Sequence, residues 1–112
     1  MINFDSNVSC ATEYFWDILK SVYDPEVGVN IVDLGMVYAV DLTNYCDGKF
    51  DALVEMTLTS PVCPLADVIA DEVKFAMANT GKCSKIDVRF VFDPPWNQDM
   101  ISVEGKMHLG IL

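Results

Sequence analysis

The stretch that decides the fold is residues 56–67, Met-Thr-Leu-Thr-Ser-Pro-Val-Cys-Pro-Leu-Ala-Asp. It begins as an alternating strand, turns at a cysteine between two prolines, and continues into a helical pattern. Pro64 is suited to the first helical position, since its φ is fixed and its missing N–H is not needed there. Cys63 is then expected at or just before the helix N-cap, a position that favours a thiolate. The alternative is a buried structural cysteine.

Alternation on the upstream side predicts a strand over residues 50–59, with one face buried and one wet. Its inward side chains are Ala52, Val54, Met56 and Leu58, and its outward side chains include Asp51, Glu55, Thr57 and Thr59. Residues 36–42 form a preceding strand, and the polar stretch 44–48 indicates a hairpin loop between the two.

The spacing of apolar residues predicts the remaining elements: helical spacing indicates helices, and alternation indicates a strand. Residues 65–80 form an amphipathic helix, and residues 85–92 a third strand with Ile86, Val88, Phe90 and Phe92 inward. A helix over 12–22 precedes the sheet. A short helix over 102–109 closes the chain, with Ser102 as its N-cap and Gly110 just past its end.

The resulting element order is α-β-β-α-β-α in a single domain spanning residues 1–112, an α+β arrangement with a three-stranded mixed sheet. One crossover helix joins the second and third strands, so these two strands are parallel. Their carboxyl ends then lie at the same edge as the start of the first strand. We therefore expect residues 33–35, Cys63 and residues 93–96 to meet there, and sites often lie beyond strand carboxyl ends.

Composition narrows the classes of function. The formal charge of −10 makes nucleic acid a poor partner. No apolar run is long enough for a membrane span, and the first residues do not read as a signal peptide, so a cytoplasmic location is expected. The four cysteines include no Cys-x-x-Cys pair, which favours free thiols over disulfides or a two-pair zinc site. His108 is expected to be a surface residue.

Three segments together resemble a known family. They are Asp24-Pro25-Glu26 with residues 31–38 (Ile-Val-Asp-Leu-Gly-Met-Val-Tyr), residues 56–64, and residues 93–96 (Asp-Pro-Pro-Trp). In this order they resemble the SufT and PaaD-like family of metal–sulfur cluster assembly proteins, over nearly the whole chain from residue 12. The resemblance implies a two-layer helix/sheet sandwich of the iron–sulfur assembly type and a role in maturing iron–sulfur proteins.

The resemblance also implies the site. Cys63 matches the family's reactive cysteine and would hold the iron or cluster, while acidic positions of the family fall on Asp24, Glu26 and Asp33. The supporting loop residues are these three carboxylates together with Thr59, Ser60, Pro61, Pro64, Asp93 and Trp96. Roles in turns or helix caps explain Asp24 and Asp33 equally well. One cysteine cannot fill four positions on a cluster, so iron or a cluster is expected only transiently. The chain lacks the extra C-terminal cysteines of some PaaD members, which favours general assembly over oxygenase maturation.

Three functions are open at this point. The first is an assembly or carrier factor, more a helper than an enzyme, that acts with scaffold or carrier proteins and client apoproteins. The second is a metal-free adaptor in which the Cys63 loop is a contact surface. The third is an enzyme with a cysteine nucleophile, disfavoured because His108 is the only histidine available as a base. Unpaired sheet edges also allow a homodimer that bridges two Cys63 sites.

Overall fold

The computed structural model describes residues 8–59 and 65–111, with side chains from residue 11 onward. The predicted order α-β-β-α-β-α is confirmed. Its elements are α1 (Val8–Leu19), β1 (Val37–Cys46), β2 (Lys49–Met56), α2 (Ala66–Ala78), β3 (Cys83–Phe90) and α3 (Val103–Leu109), with a short 3-10 turn at Gln98–Met100 before α3.

The three strands form one mixed sheet in the order β1-β2-β3. β1 and β2 are an antiparallel hairpin, and β2 and β3 are parallel, with Val54 at the centre opposite Val40 on one side and Val88 on the other. The predicted hairpin and the predicted parallel pair joined by one crossover helix are both confirmed.

The core lies on one face of this sheet. From β2, Phe50, Ala52, Val54 and Met56 are buried against the helices, because alternate side chains of a strand point to the same face. α1 and α2 contact each other as well as the sheet, so they form one helical layer. The buried helix residues include Phe15, Leu19, Ile69, Val73 and Met77. On the opposite face, Asp41 and Asp87 are exposed, which makes this a two-layer α+β sandwich.

Several predicted boundaries are wrong on the amino-terminal side. α1 covers residues 8–19 rather than 12–22, and a turn follows in which Ser21 Oγ donates to Ile18 O at 2.7 Å. Residues 44–46 belong to β1 rather than to a hairpin loop, and the turn is confined to Asp47–Gly48. A register irregularity between Thr43 and Cys46 lets β1 carry Asn44 at φ 53°, so this turn-forming residue stays within the strand.

The second and third strands also end earlier than predicted. β2 stops at Met56, and Thr57 turns its N–H toward Met36 O at 2.7 Å. Thr57, expected on the wet face, is completely buried. β3 covers residues 83–90 rather than 85–92, which leaves Phe92 46% exposed instead of inward.

α2 begins at Ala66 with Leu65 as its N-cap, and no side chain caps it. The helix therefore begins later in the sequence than the predicted start at Pro64, and its N-cap, Leu65, comes two positions after Cys63. Ser60, Pro61, Cys63 and Pro64 lie outside the described residues. α3 is as predicted: Ser102 Oγ accepts the Gly105 N–H at 3.1 Å, and Gly110 ends the helix at φ 74°.

Candidate functional site

The loop after β3 is bound to the start of β1. Trp96 Nε1 donates to Leu34 O at 2.7 Å, and Tyr38 Oη donates to Pro94 O at 2.7 Å. We call residues 93–97, which begin with a cis Asp93–Pro94 peptide, the strap. Because β2 lies between β3 and β1, the strap must cross the end of β2 to reach its partners. Thr57, which directly follows β2, is completely buried at this end of the sheet.

The Asp33 carboxylate joins the start of β1 to α3. Its Oδ2 accepts from Asn30 Nδ2 at 2.6 Å, and its Oδ1 accepts from Ser102 Oγ at 2.9 Å. The Asp33 backbone carbonyl also accepts the Ser102 N–H at 2.7 Å. Both carboxylate oxygens are therefore engaged within the protein, and Asp33 fixes the position of this edge.

Gly35 permits the close approach of these two segments. Its φ is +76°, a left-handed conformation that residues with a Cβ rarely adopt. A Cβ built there would lie 2.7 Å from Met100 Cβ and closer still to the Met100 carbonyl oxygen. The backbone at Gly35 is thus packed directly on the 3-10 turn before α3.

Asp24 has a structural role in the neighbouring turn. Only 4% of its surface is exposed, and its Oδ1 accepts the Glu26 N–H at 2.9 Å while its carbonyl accepts the Gly28 N–H at 2.8 Å. Glu26 itself is exposed. The turn over residues 24–28 directs Val27 toward Trp96, since both side chains line the same cavity.

This cavity, which we call the edge cavity, has a volume of about 310 Å³. Thr59, the last described residue before 60–64, is part of its wall. The other lining residues are mostly apolar: Val27, Leu34, Trp96, Gln98, Ile101, Leu109 and Ile111. Such a lining suits an apolar side chain better than a bare cation. Across residues 8–59 and 65–111, no three His, Cys, Asp or Glu side chains are grouped so as to hold a metal ion.

The structure therefore brings some of the predicted site residues together. Asp33, Thr59 and Trp96 meet at one edge of the sheet, as the topology predicted for residues 33–35 and 93–96. Asp93 is exposed at the start of the strap. Asp24 and Glu26 lie in the adjacent turn and reach this edge only through Val27. The position of Cys63 at this edge stays a prediction.

Sequence reasoning missed the partners that hold the edge. Ser102 was recognised as an N-cap, but nothing in its spacing indicates the bond to Asp33, 69 residues away. Asn30 was the more accessible signal, because an Asn three residues before an Asp is typical of a side-chain-bonded turn. Tyr38 was read only as a strand residue.

Cys46 and Cys83, the cysteines whose side chains the structure describes, lie at the opposite end of the sheet. Cys83 opens β3, and burial, helped by the negative charge of Asp51, raises its pKa to about 11. Its thiol is therefore protonated and unreactive near neutral pH. Cys46 is exposed beside the hairpin turn, and His108 is an exposed residue of α3, as predicted. Within the described residues, no helix has the length and apolar character needed to cross a membrane.

Comparison with known proteins gives a consistent result. A family model described as iron–sulfur cluster assembly protein matches residues 15–89. The Fe-S protein maturation auxiliary factor YitW of Bacillus subtilis is 47% identical over 93 residues, covering 83% of this chain and 87% of that protein. The Fe-S protein maturation auxiliary factor SufT of Staphylococcus aureus is 41% identical over 90 residues, covering 80% and 98%.

Solved structures give the same picture at the level of the fold. A domain of unknown function, DUF59, from Bacillus anthracis superposes with a TM-score of 0.81 at 35% identity, covering 93% of this chain and 95% of that one. Rv1466 from Mycobacterium tuberculosis, described as a protein associated with Fe-S complex assembly and repair, gives a TM-score of 0.53 at 36% identity, covering 98% and 92%.

Proposed function

The chain belongs to the iron–sulfur cluster assembly protein family, and on that premise we propose that it helps deliver iron–sulfur clusters to client apoproteins. The observation that carries the proposal is the 47% identity to a maturation auxiliary factor over 83% of the chain. In this proposal the cluster is cargo, taken from a scaffold or carrier protein in the cytoplasm and passed on.

Cys63 is the residue that we propose contacts the cargo. A thiolate is the protein ligand that iron–sulfur clusters prefer. In the sequence Cys63 lies between Thr59, which lines the edge cavity, and Leu65, which caps α2. One thiolate fills one position of a cluster, so the others come from a partner, a second copy or a small thiol. This incomplete ligation supports transient rather than permanent binding.

The carboxylates of the site have a supporting role in this mechanism. The Asp33 carboxylate accepts hydrogen bonds from Ser102 and Asn30. The Asp24 carboxylate accepts the Glu26 N–H. They therefore hold α3 and the 24–28 turn in place beside the edge cavity. Trp96 closes the same edge through its bond to Leu34.

The test compares Cys63→Ser with Cys83→Ser. Serine is close to cysteine in size, so we expect Cys63→Ser to change the free energy of unfolding by less than about 1 kcal/mol. Its hydroxyl does not ionise near neutral pH, so maturation of an iron–sulfur client enzyme should be lost. Cys83→Ser is the matched control, because Cys83 lies at the other end of the sheet with a protonated thiol. The measurements are client activity and melting temperature.

Either of two results would contradict this role. A melting temperature far below the parent's would mean that Cys63 is core packing. Normal folding with full client maturation would mean that the thiol is dispensable.

A metal-free adaptor is the second candidate. It is favoured because both oxygens of the Asp33 carboxylate already accept hydrogen bonds from Asn30 and Ser102. Anaerobic reconstitution with iron and sulfide separates the two candidates. A carrier develops visible absorption that depends on Cys63, and an adaptor does not. The same samples in a light-scattering instrument test the proposed homodimer, since a monomer has a mass of 12.5 kDa.

A further inference from the structure

A second concave surface lies between α2 and the segment that follows α1. We call it the α2 groove. Its volume is about 550 Å³, and Tyr23, Pro25, Glu72 and Phe75 are among its lining residues. Two of these are exposed aromatic side chains, with Tyr23 at 52% and Phe75 at 69%. Clustered exposed aromatics are uncommon on a free surface and are enriched at protein interfaces.

The apolar surface continues along α2. Val68 is 45% exposed and precedes Phe75 by seven residues, which places both on one side of the helix. Between them lie Asp71 and Glu72, each three or four residues from both apolar side chains, and both are exposed. The pattern along this helix face is therefore apolar, a pair of carboxylates, and apolar. Lys74 is also exposed but projects about 100° around the helix from Phe75.

These charges determine the kind of occupant. A second copy of this chain would bring another net charge of −10 against the carboxylate pair, which opposes self-association here. A segment with Lys or Arg between two apolar anchors complements the pattern in both charge and polarity. We propose that the α2 groove binds a basic, amphipathic segment of a partner protein.

The groove adjoins the site already described. Pro25 lines the α2 groove, and Val27 of the same turn lines the edge cavity. The turn over residues 24–28, held by the Asp24 carboxylate, thus separates the two concavities. If the proposed function holds, on which this step rests, a partner in the groove is seated beside the place where cargo is exchanged.

The first test uses two synthetic peptides and the 112-residue chain labelled with nitrogen-15. One peptide is an amphipathic helix of Lys, Leu and Phe, and its twin carries Glu in place of every Lys. We expect the Lys peptide to shift the amide signals of residues 21–24 and 68–79, with binding that weakens as salt is raised. The Glu twin should leave these signals in place.

Matched variants then locate the interaction. The double variant Asp71→Asn/Glu72→Gln should weaken the Lys peptide by about 3- to 10-fold, the range expected for two exposed ion pairs. Phe75→Ser should weaken it by about 10-fold, as for an aromatic anchor. The control Asp41→Asn/Asp87→Asn removes the same charge from the open face of the sheet and should change binding less than about 2-fold.

The inference is overturned if the Asp41/Asp87 control loses as much affinity for the Lys peptide as the Asp71/Glu72 double variant does, since binding would then follow net charge alone. It is also overturned if the Glu twin binds as well, or if the parent self-associates and Phe75→Ser abolishes that association, because the occupant would then be a second copy.

Client maturation separates this inference from the proposed function. Phe75→Ser and the Asp71/Glu72 double variant should take up iron and sulfide like the parent but mature the client slowly, whereas Cys63→Ser should bind the Lys peptide normally and fail at uptake. Full maturation by both groove variants, with Cys63→Ser inactive, removes the docking role and leaves the proposed function intact.

Discussion

The two ends of the sheet are built differently. At the edge that carries the strap, side-chain hydrogen bonds join residues that are far apart in the sequence. Tyr38 and Pro94 are separated by 56 positions, Trp96 and Leu34 by 62, and Ser102 and Asp33 by 69. At the hairpin edge, Asn44 bonds to Asp51 and Thr80 to Met77, only seven and three positions apart. The side-chain hydrogen bonds at the hairpin edge are thus local, whereas those at the strap edge join segments that meet only in the folded protein.

The largest expected effect comes from paired glycine substitutions at the two edges. Gly35 and Gly48 have nearly the same backbone conformation, with φ of +76° and +80°. A Cβ at Gly35 would meet Met100, whereas a Cβ at Gly48 has nothing within 4 Å. We expect Gly35→Ala to lower the free energy of unfolding by roughly 3–5 kcal/mol, from backbone strain plus overpacking.

Gly48→Ala, which carries only the conformational strain, should cost about 1 kcal/mol. Urea denaturation of the two variants measures the difference. Equal losses of unfolding free energy would show that the strap edge accommodates an added Cβ as easily as the hairpin edge does. That result would contradict the contrast between the two edges.

The next effect tests whether the strap acts as a unit. Trp96→Phe removes the donor to Leu34 O and should cost about 2 kcal/mol, since a partly buried carbonyl loses its partner. Tyr38→Phe removes the second bond, to Pro94 O. If both bonds hold one strap, the double variant costs less than the sum of the singles, and a double-mutant cycle measures this coupling. Strict additivity would mean that the two bonds are independent.

A smaller effect, of opposite sign, is expected at Thr57. Its Oγ1 is buried and has no hydrogen-bond partner among the described residues. Thr57→Val replaces this hydroxyl with a methyl group of similar size, and should raise the free energy of unfolding by about 1 kcal/mol. Thermal unfolding checks the sign. A lower melting temperature would show that the hydroxyl is satisfied in the folded protein.

The last effect concerns Cys83 at the hairpin edge; it is absent near neutral pH and appears only in alkaline solution. Its pKa is raised from 9.0 to about 11 by burial and by Asp51. Between these values the unfolded chain loses the thiol proton while the folded chain keeps it, so stability falls as pH rises. The contribution of Cys83 is complete below pH 9 and is lost as the pH passes about 11.

Unfolding midpoints of the parent and of Cys83→Ala across this range test the expectation, and the variant should show the shallower decline. Cys46→Ala, which removes an exposed thiol at the same edge, is the control. The part of the decline in stability with pH that Cys83→Ala removes and Cys46→Ala retains is due to Cys83. A variant with the parent's slope would assign the decline to other groups.

The topology was predictable because it depends on patterns within short windows. Alternation identified the strands, and a single helix between the second and third strands required them to be parallel. That requirement was sufficient to predict that residues 33–35 and 93–96 meet. It predicted their proximity and not their bonds, so the contact from Trp96 to Leu34 came only from the structure.

The errors arose where a distant segment overrides local pattern. Thr57 alternates with Met56 and is predicted to be exposed, yet it is completely buried, and its N–H donates to Met36 O, 21 positions away in the sequence. Asp33 is predicted as a supporting loop residue, and that role stays a prediction; its bond to Ser102 requires the position of α3, which no local spacing encodes. By its sequence, Cys63 matches the family's reactive cysteine and lies two residues before Leu65, the N-cap of α2. Residues 60–64, which include Cys63, lie outside the described residues.

The bond between Asp33 and Ser102 also has a consequence for the time course of synthesis. A ribosome adds about 5–20 residues per second, so the 69 residues between these partners take roughly 3–14 seconds to make. The hairpin of β1 and β2 is local and can pair within microseconds once it has emerged. The strap edge has no partner for Asp33 until Ser102 has been translated. A nascent chain can therefore begin to pair β1 with β2 well before it can complete the strap edge.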